Sequence, residues 1–238
     1  MKFVGVFSLF SIALGLTLEE HGVELPKLRK RAIQSGVQTY ECLIPGTFAM
    51  TFDDGPYIYT RQLLSILRRL RVKATFFVVG EMVDNDDYGS ILAEMAAEGH
   101  QIASHSYTHP HLNELSHDRL VEEIAKTSTA IEHRLGTRVN YFRCPYGECD
   151  DRVLSVLGGM GYKVINWNLD TLDWTGKSTA DILAVYRDSL NDVNPRSSAF
   201  ISLQHDIQPN TIAVVSRLIK TVRDKGFRLT TVKECMGE

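Results

Sequence analysis

The sequence predicts an α/β fold of parallel strands, and three observations predict it. Short apolar or β-branched runs alternate with helical periodicity some six or seven times along the chain. The connections between them are short, and no stretch rich in Gly, Ser or Pro divides them, so a single domain is expected. The composition, 44% hydrophobic and 23% charged over 238 residues, is that of an ordinary globular protein able to bury a sizeable core. Alternation of this kind gives either a barrel or an open doubly wound sheet.

The N-terminus is separate from that pattern. One Lys followed by an apolar run from Phe3 to Leu16 is too short for a membrane span and suits a secretory leader, assigned to residues 1–17. Residues 18–31 end in the basic run "KLRKR", which resembles a processing site. They are read as a possible propeptide, leaving a catalytic domain at 32–238. Strands are expected at 48–52, 74–79, 101–104, 141–142, 163–167, 199–203 and 228–231, each brief and apolar as in strands buried on both faces. Helices are expected at 61–70, 90–98, 118–135, 151–160, 180–190 and 211–225. Gly99, Gly136, Gly161 and Gly226 stand where glycine commonly ends a helix. Asp150 and Ser178 occupy N-cap positions, and Ser178 with Asp181 has capping-box spacing.

Charge and cysteines narrow the class. A net charge of −3 gives no reason to expect nucleic acid or an anionic membrane as partner. The four cysteines allow three pairings. Cys42–Cys235 with Cys144–Cys149 is favoured, the first tying the chain ends and the second closing a tight loop. If Cys144 is instead free, it is a thiol beside Arg143. No Asn-x-Ser/Thr acceptor and no hydrophobic C-terminal tail occur, so neither N-linked sugar nor a lipid anchor is expected.

Polar clusters terminate the expected strands: Asp53-Asp54, "HSYTHP" from His105 to Pro110, "FRCPYG", "NLDTLDW" and "LQHD". In a parallel barrel the C-terminal strand ends share one face, where active sites lie. His105 and His109 are spaced i, i+4, but Pro110 and the intervening Ser, Tyr and Thr favour a loop over a helix. Two histidines with the carboxylate of Asp54 make a common three-ligand catalytic zinc set with a fourth position open. His111 competes as a ligand but lies beyond Pro110. His21, His100, His117 and His133 are read as surface or structural.

The motifs "TFDDGP", "HSYTHP", "RCPYG", "DTLDW" and "LQHD" resemble, in order and spacing, the polysaccharide deacetylase (NodB-homology) domain, carbohydrate esterase family four, from about Phe48 to Val232. With the leader and the flanking cysteines they look most like the secreted fungal chitin deacetylases. The resemblance implies a distorted (β/α) barrel of fewer than eight strands, in keeping with about seven here. It implies that Asp54, His105 and His109 hold a divalent metal, Zn2+ or another such as Co2+. It further implies Asp53 as general base, with Arg143 orienting it and keeping it ionised. The backbone N–H of Tyr146 would face the oxyanion, and His205 would be the general acid. Asp173 is the carboxylate assigned to hold His205, with Asp170 the alternative. Trp174 and Leu203 would line the acetyl-methyl pocket, and Tyr146 would also meet substrate.

The chemistry agrees with those residue types. An amide resists water, so its hydrolysis needs an activated water, a base for the water's proton and an acid for the leaving amine. The expected activity is removal of acetyl from N-acetylglucosamine units of chitin or chitooligosaccharides. Acetyl xylan esterase and peptidoglycan deacetylase are the alternatives. The protein is expected to be a secreted monomer.

Overall fold

A computed structural model describes residues 33–238. The expected leader and propeptide, residues 1–17 and 18–31, lie outside the described residues. Nine strands form one sheet: β1 (Gln38–Thr39), β2 (Thr47–Asp53), β3 (Thr75–Val78), β4 (Gln101–Ser104), β5 (Tyr141–Phe142), β6 (Lys163–Ile165), β7 (Leu169–Asp170), β8 (Phe200–His205) and β9 (Arg228–Thr230). Eight α-helices accompany them: α1 (Thr60–Leu70), α2 (Gly80–Asp84), α3 (Gly89–Ala97), α4 (His117–Leu135), α5 (Asp151–Gly159), α6 (Thr179–Ser189), α7 (Pro209–Asp224) and α8 (Val232–Cys235).

Every strand pairing is parallel. The order β1-β6-β5-β4-β3-β2-β8-β7 runs in chain sequence around a circle from β2 through β6 and back through β7 and β8 to β2. That is the winding of a barrel; a doubly wound sheet reverses its order midway. The circle stays open because β1 and β7, the outermost strands, do not pair, so the sheet is a curled half-barrel. β9 pairs with the first residues of β2, on the edge that β3 takes further along.

Alternation along β2 divides the core. Phe48, Met50 and Phe52 face the helices and join the large cluster built with Leu63, Leu67, Val215 and Leu218. Ala49 faces the sheet's concave side with Phe77, Ala103, Ile165 and Ile201, where Val232 and Cys235 of α8 also pack. Asp53 continues the concave set and therefore emerges at the C-terminal mouth.

The expected strands and long helices are present within a residue or two at most ends. β8 extends two residues further, to His205, and the expected strand 163–167 stops at Ile165. The count of about seven strands rises to nine because β1 and β7 are two-residue pairings with no apolar run to signal them. Short α2 and α8 were likewise not expected. The caps follow the sequence: Asp150 accepts from Val153 N–H at 2.8 Å, and Ser178 with Asp181 forms a capping box. Gly99, Gly136, Gly161 and Gly226 all have positive φ. Disulfides join Cys42 to Cys235 and Cys144 to Cys149, so Cys144 is not a free thiol.

Candidate active site

A cleft of about 340 Å³ opens at the C-terminal mouth of the sheet. Asp53, Asp54, His105, His109, Tyr146, Trp174, Leu203 and His205 line it. Of the residues expected at the site only Arg143 and Asp173 do not; both are buried behind it.

Asp53 and Asp54 reach the same cleft although neighbouring strand residues point to opposite faces. Asp54 leaves the strand with φ 77°, which turns its carboxylate back toward that of Asp53. The turn is held from below. Asp206 is buried under Gly55 and accepts the Thr60 hydroxyl, whose oxygen in turn accepts the Tyr57 N–H at 2.8 Å. A Cβ on Gly55 would sit 2.1 Å from Asp206 Oδ2, so only glycine fits there. Burial pushes the Asp206 carboxyl up to about 7.

Three ligand atoms gather above this turn. Asp54 Oδ1 lies 3.5 Å from His105 Nε2 and 3.5 Å from His109 Nε2. It is buried without a hydrogen-bond partner, an arrangement that a cation would resolve. His105 Nδ1 donates to the Arg143 carbonyl at 2.8 Å, which leaves the Nε2 lone pair directed at the cluster. Burial pulls the His105 pKa down to about 3, so the ring is in its neutral, ligating form. One carboxylate oxygen and two imidazole nitrogens within 4.8 Å of one another, open toward a cleft, fit a divalent ion in a catalytic rather than a closed structural site. His111 is not in this group. It stacks on Tyr146 at 4.0 Å and pairs with Glu148 at 3.1 Å.

Asp53 is held from the opposite side. Arg143, fully buried, donates from one nitrogen to Asp53 Oδ1 and to Thr51 Oγ1, both at 2.7 Å. Its other nitrogens donate to the carbonyls of Ile165 and Asn166, and its plane lies 4.0 Å from the centre of the Phe77 ring. Burial pushes the Asp53 carboxyl above its usual range, and the Arg143 guanidinium opposes this most strongly. The net result is a carboxyl more basic than one in water, with the Arg143 guanidinium favouring its charged form.

His205 closes the cleft from the end of β8. Its Nδ1 lies 2.7 Å from Asp173 Oδ1, and its backbone N–H donates to Asp173 Oδ2 at 2.8 Å. Thr211 supplies a further donor to that oxygen. Burial pulls the His205 pKa down, but the bond to Asp173 and its charge, reinforced by Asp53 and Asp54, outweigh this and lift it to about 9. Asp170 instead accepts the Leu172 N–H at 2.8 Å and does not bond His205.

The Tyr146 loop completes the wall. Tyr146 has φ 59°, and among the described residues no backbone carbonyl accepts its N–H. Tyr146 is 53% exposed, and Trp174, which also lines the cleft, is 57% exposed. Trp167 also lines the cleft and was not expected there. Nor were Asp206, Thr51 and Thr211 expected in support of the site. Two had a visible signal: Thr51 opens "TFDDGP", and Asp206 directly follows His205 in "LQHD".

Residues 41–165 match the family described as polysaccharide deacetylase. The chain is similar to a chitin deacetylase of Colletotrichum lindemuthianum, 36% identical over 217 residues, covering 89% of this chain and 88% of that protein. A chitin deacetylase of Pestalotiopsis sp is 38% identical over 212 residues, covering 88% of this chain and 70% of that one. The solved structure of the Colletotrichum lindemuthianum chitin deacetylase superposes with a TM-score of 0.82 at 34% identity, covering 87% of this chain and 94% of that chain.

Proposed function

Because the chain belongs to the polysaccharide deacetylase family, we propose that it hydrolyses the N-acetyl group of N-acetylglucosamine units in chitin or chitooligosaccharides, giving acetate and a free amine. One observation carries the reading. A buried carboxylate paired with arginine, an Asp-His-His ligand set and a carboxylate-backed histidine converge on a single cleft. Similarity over most of the chain to two fungal chitin deacetylases supports chitin as the polymer.

Asp54, His105 and His109 are the proposed holders of a divalent ion, Zn2+ in the first instance and Co2+ as a functional substitute. When bound, such an ion acidifies water and polarises a carbonyl. Asp53 takes a proton from the attacking water, its free Oδ2 facing the ligand cluster at 3.7 Å from His105 Nε2. Arg143 keeps that carboxylate ionised and fixes its angle. The Tyr146 N–H donates to the developing oxyanion, an interaction worth about 3–4 kcal/mol when well placed. His205, charged at neutral pH and held by Asp173, protonates the amine nitrogen so that the C–N bond breaks toward acetate. Trp174, Leu203 and the Tyr146 ring bound the space for the acetyl methyl and the sugar.

The same reading includes a secreted monomer with a leader at 1–17, a propeptide at 18–31 and a mature domain from 32. The two disulfides are consistent with an oxidising compartment. No helix among the described residues is long and apolar enough to cross a membrane.

The test is acetate release from chitin pentamer, acetylated xylan and peptidoglycan, before and after chelation and on re-addition of Zn2+ or Co2+. Release from the pentamer, abolished by chelator and restored by metal, is expected. Activity on xylan alone, or on peptidoglycan alone, overturns the choice of polymer. Full activity after exhaustive chelation overturns the metal assignment.

A further inference from the structure

Glu123 lies in the N-terminal half of α4 and is only 5% exposed. A buried carboxylate is expensive unless it is well bonded. All three hydrogen bonds that compensate it come from one loop. Its Oε2 accepts the backbone N–H of Tyr107 at 3.0 Å and of Thr108 at 2.9 Å, and its Oε1 accepts the Thr108 hydroxyl at 2.9 Å. That loop joins His105 to His109.

The ends of the loop have other anchors. His105 N–H donates to the Val78 carbonyl at 2.9 Å, and His109 N–H donates to Ser106 Oγ at 3.1 Å. The carbonyls of Ser106 and Tyr107 accept from the N–H groups of Gly80 and Glu81, each at 3.0 Å. The two N–H groups in the middle of the loop have Glu123. Without it the N–H of buried Tyr107 would be left unpaired and that of Thr108 would lose its acceptor, or the loop would have to rearrange to reach water. Ser106 and His109 already hold φ values of 63° and 58°, conformations that persist only where the surroundings enforce them.

We propose that Glu123 is a positioning residue for the cation site: it fixes the 105–109 loop so that both histidine Nε2 atoms face Asp54 Oδ1. It touches neither ligand side chain and acts through the backbone between them. The inference rests on the reading of Asp54, His105 and His109 as metal ligands.

The experiment measures Zn2+ affinity of the full chain by competition with a chromogenic chelator, alongside the visible absorption of the Co2+ form. Glu123→Ala is expected to weaken Zn2+ binding by about 10- to 100-fold, as for other supports of metal ligands, and to alter the Co2+ spectrum. Glu123→Gln, whose amide oxygen can accept both backbone N–H groups, is expected to stay within about threefold of the unmodified chain. Val222→Ala, buried in α7, serves as a destabilised control expected to leave affinity unchanged. Should Glu123→Ala fail to fold, Glu123→Asp, too short to reach the loop, carries the same expectation. Unmodified affinity in the Ala or Asp variant overturns the inference, as does a Gln variant as weak as the Ala one. Failure of the unmodified chain to bind Zn2+ overturns the metal reading and this inference with it.

Discussion

Asp53 and Asp54 share a cleft because one backbone angle breaks the alternation of a strand, and the two carboxylates then meet different partners. Asp53 has Arg143 at 2.7 Å; Asp54 has two imidazoles at 3.5 Å and a buried oxygen with no hydrogen bond. Asp53→Asn is therefore expected to lower kcat by about a thousandfold, within the range for loss of a general base, while Zn2+ affinity measured by titration changes little. At His205 the sign of a pH effect follows from its partner. In the proposed role of general acid, a pKa of about 9 keeps the proton on His205 at neutral pH and loses it as pH rises through that value. Asp173→Asn removes the strongest influence raising that pKa, so the basic limb of the kcat profile is expected to move to lower pH. The stability that the raised pKa confers on the metal-free chain is full below the ordinary 6.5 and disappears as pH climbs through about 9. Urea melts between pH 6 and 10 check this, and the Asp173→Asn variant should show a flatter profile. At this scale the sequence was most legible where a strand ended in charge. It was silent on Glu123, since a glutamate in a polar helix looks the same whether it faces water or a loop.

Among the elements, the loops carry the site and the strands aim them. The long helices were readable because caps and terminal glycines agree with apolar periodicity, as in α5 between Asp150 and Gly161. Of the two-residue strands, β5 was readable from its apolar pair Tyr141 and Phe142, whereas β1 and β7 were not, because pairing partners rather than composition define them. The loop from Cys144 to Cys149 shows what a short crosslink does for such a segment. It bears Tyr146, whose ring is packed between His109 and His111. In the chain-entropy picture a bridge spanning 5 residues contributes only about 2 kcal/mol to stability. Its larger effect is expected on the angle of the Tyr146 N–H. Replacing Cys144 and Cys149 together by Ser should reduce kcat at least tenfold while shifting the denaturation midpoint modestly. Steady-state kinetics and guanidinium unfolding of the double variant decide this.

For the molecule as a whole, circular winding around an open seam was only partly legible. Strand–helix alternation fits a barrel and a doubly wound sheet equally well, and the choice depends on which strands touch. The Cys42–Cys235 bridge acts at this scale. With a sequence separation of 193 between its cysteines it contributes up to about 5 kcal/mol in the same picture, so the Cys42→Ser, Cys235→Ser variant should lose much more stability and much less activity than the loop variant. Backbone strain has its own distribution. Of the seven non-glycine residues with positive φ among those described, Asp54, Ser106, His109, Tyr146 and Leu172 belong to the strand-end motifs and their loops at the mouth of the sheet; Arg71 and Asp192 do not. A left-handed residue costs roughly 1–2 kcal/mol against glycine. Arg71→Gly, at the C-cap of α1, is thus expected to raise the melting temperature by a few degrees with activity intact. Ser106→Gly should gain from the same relief and lose metal affinity, because the strained turn also carries the oxygen that holds His109. Selection for heat resistance alone would erode this protein from its working end first.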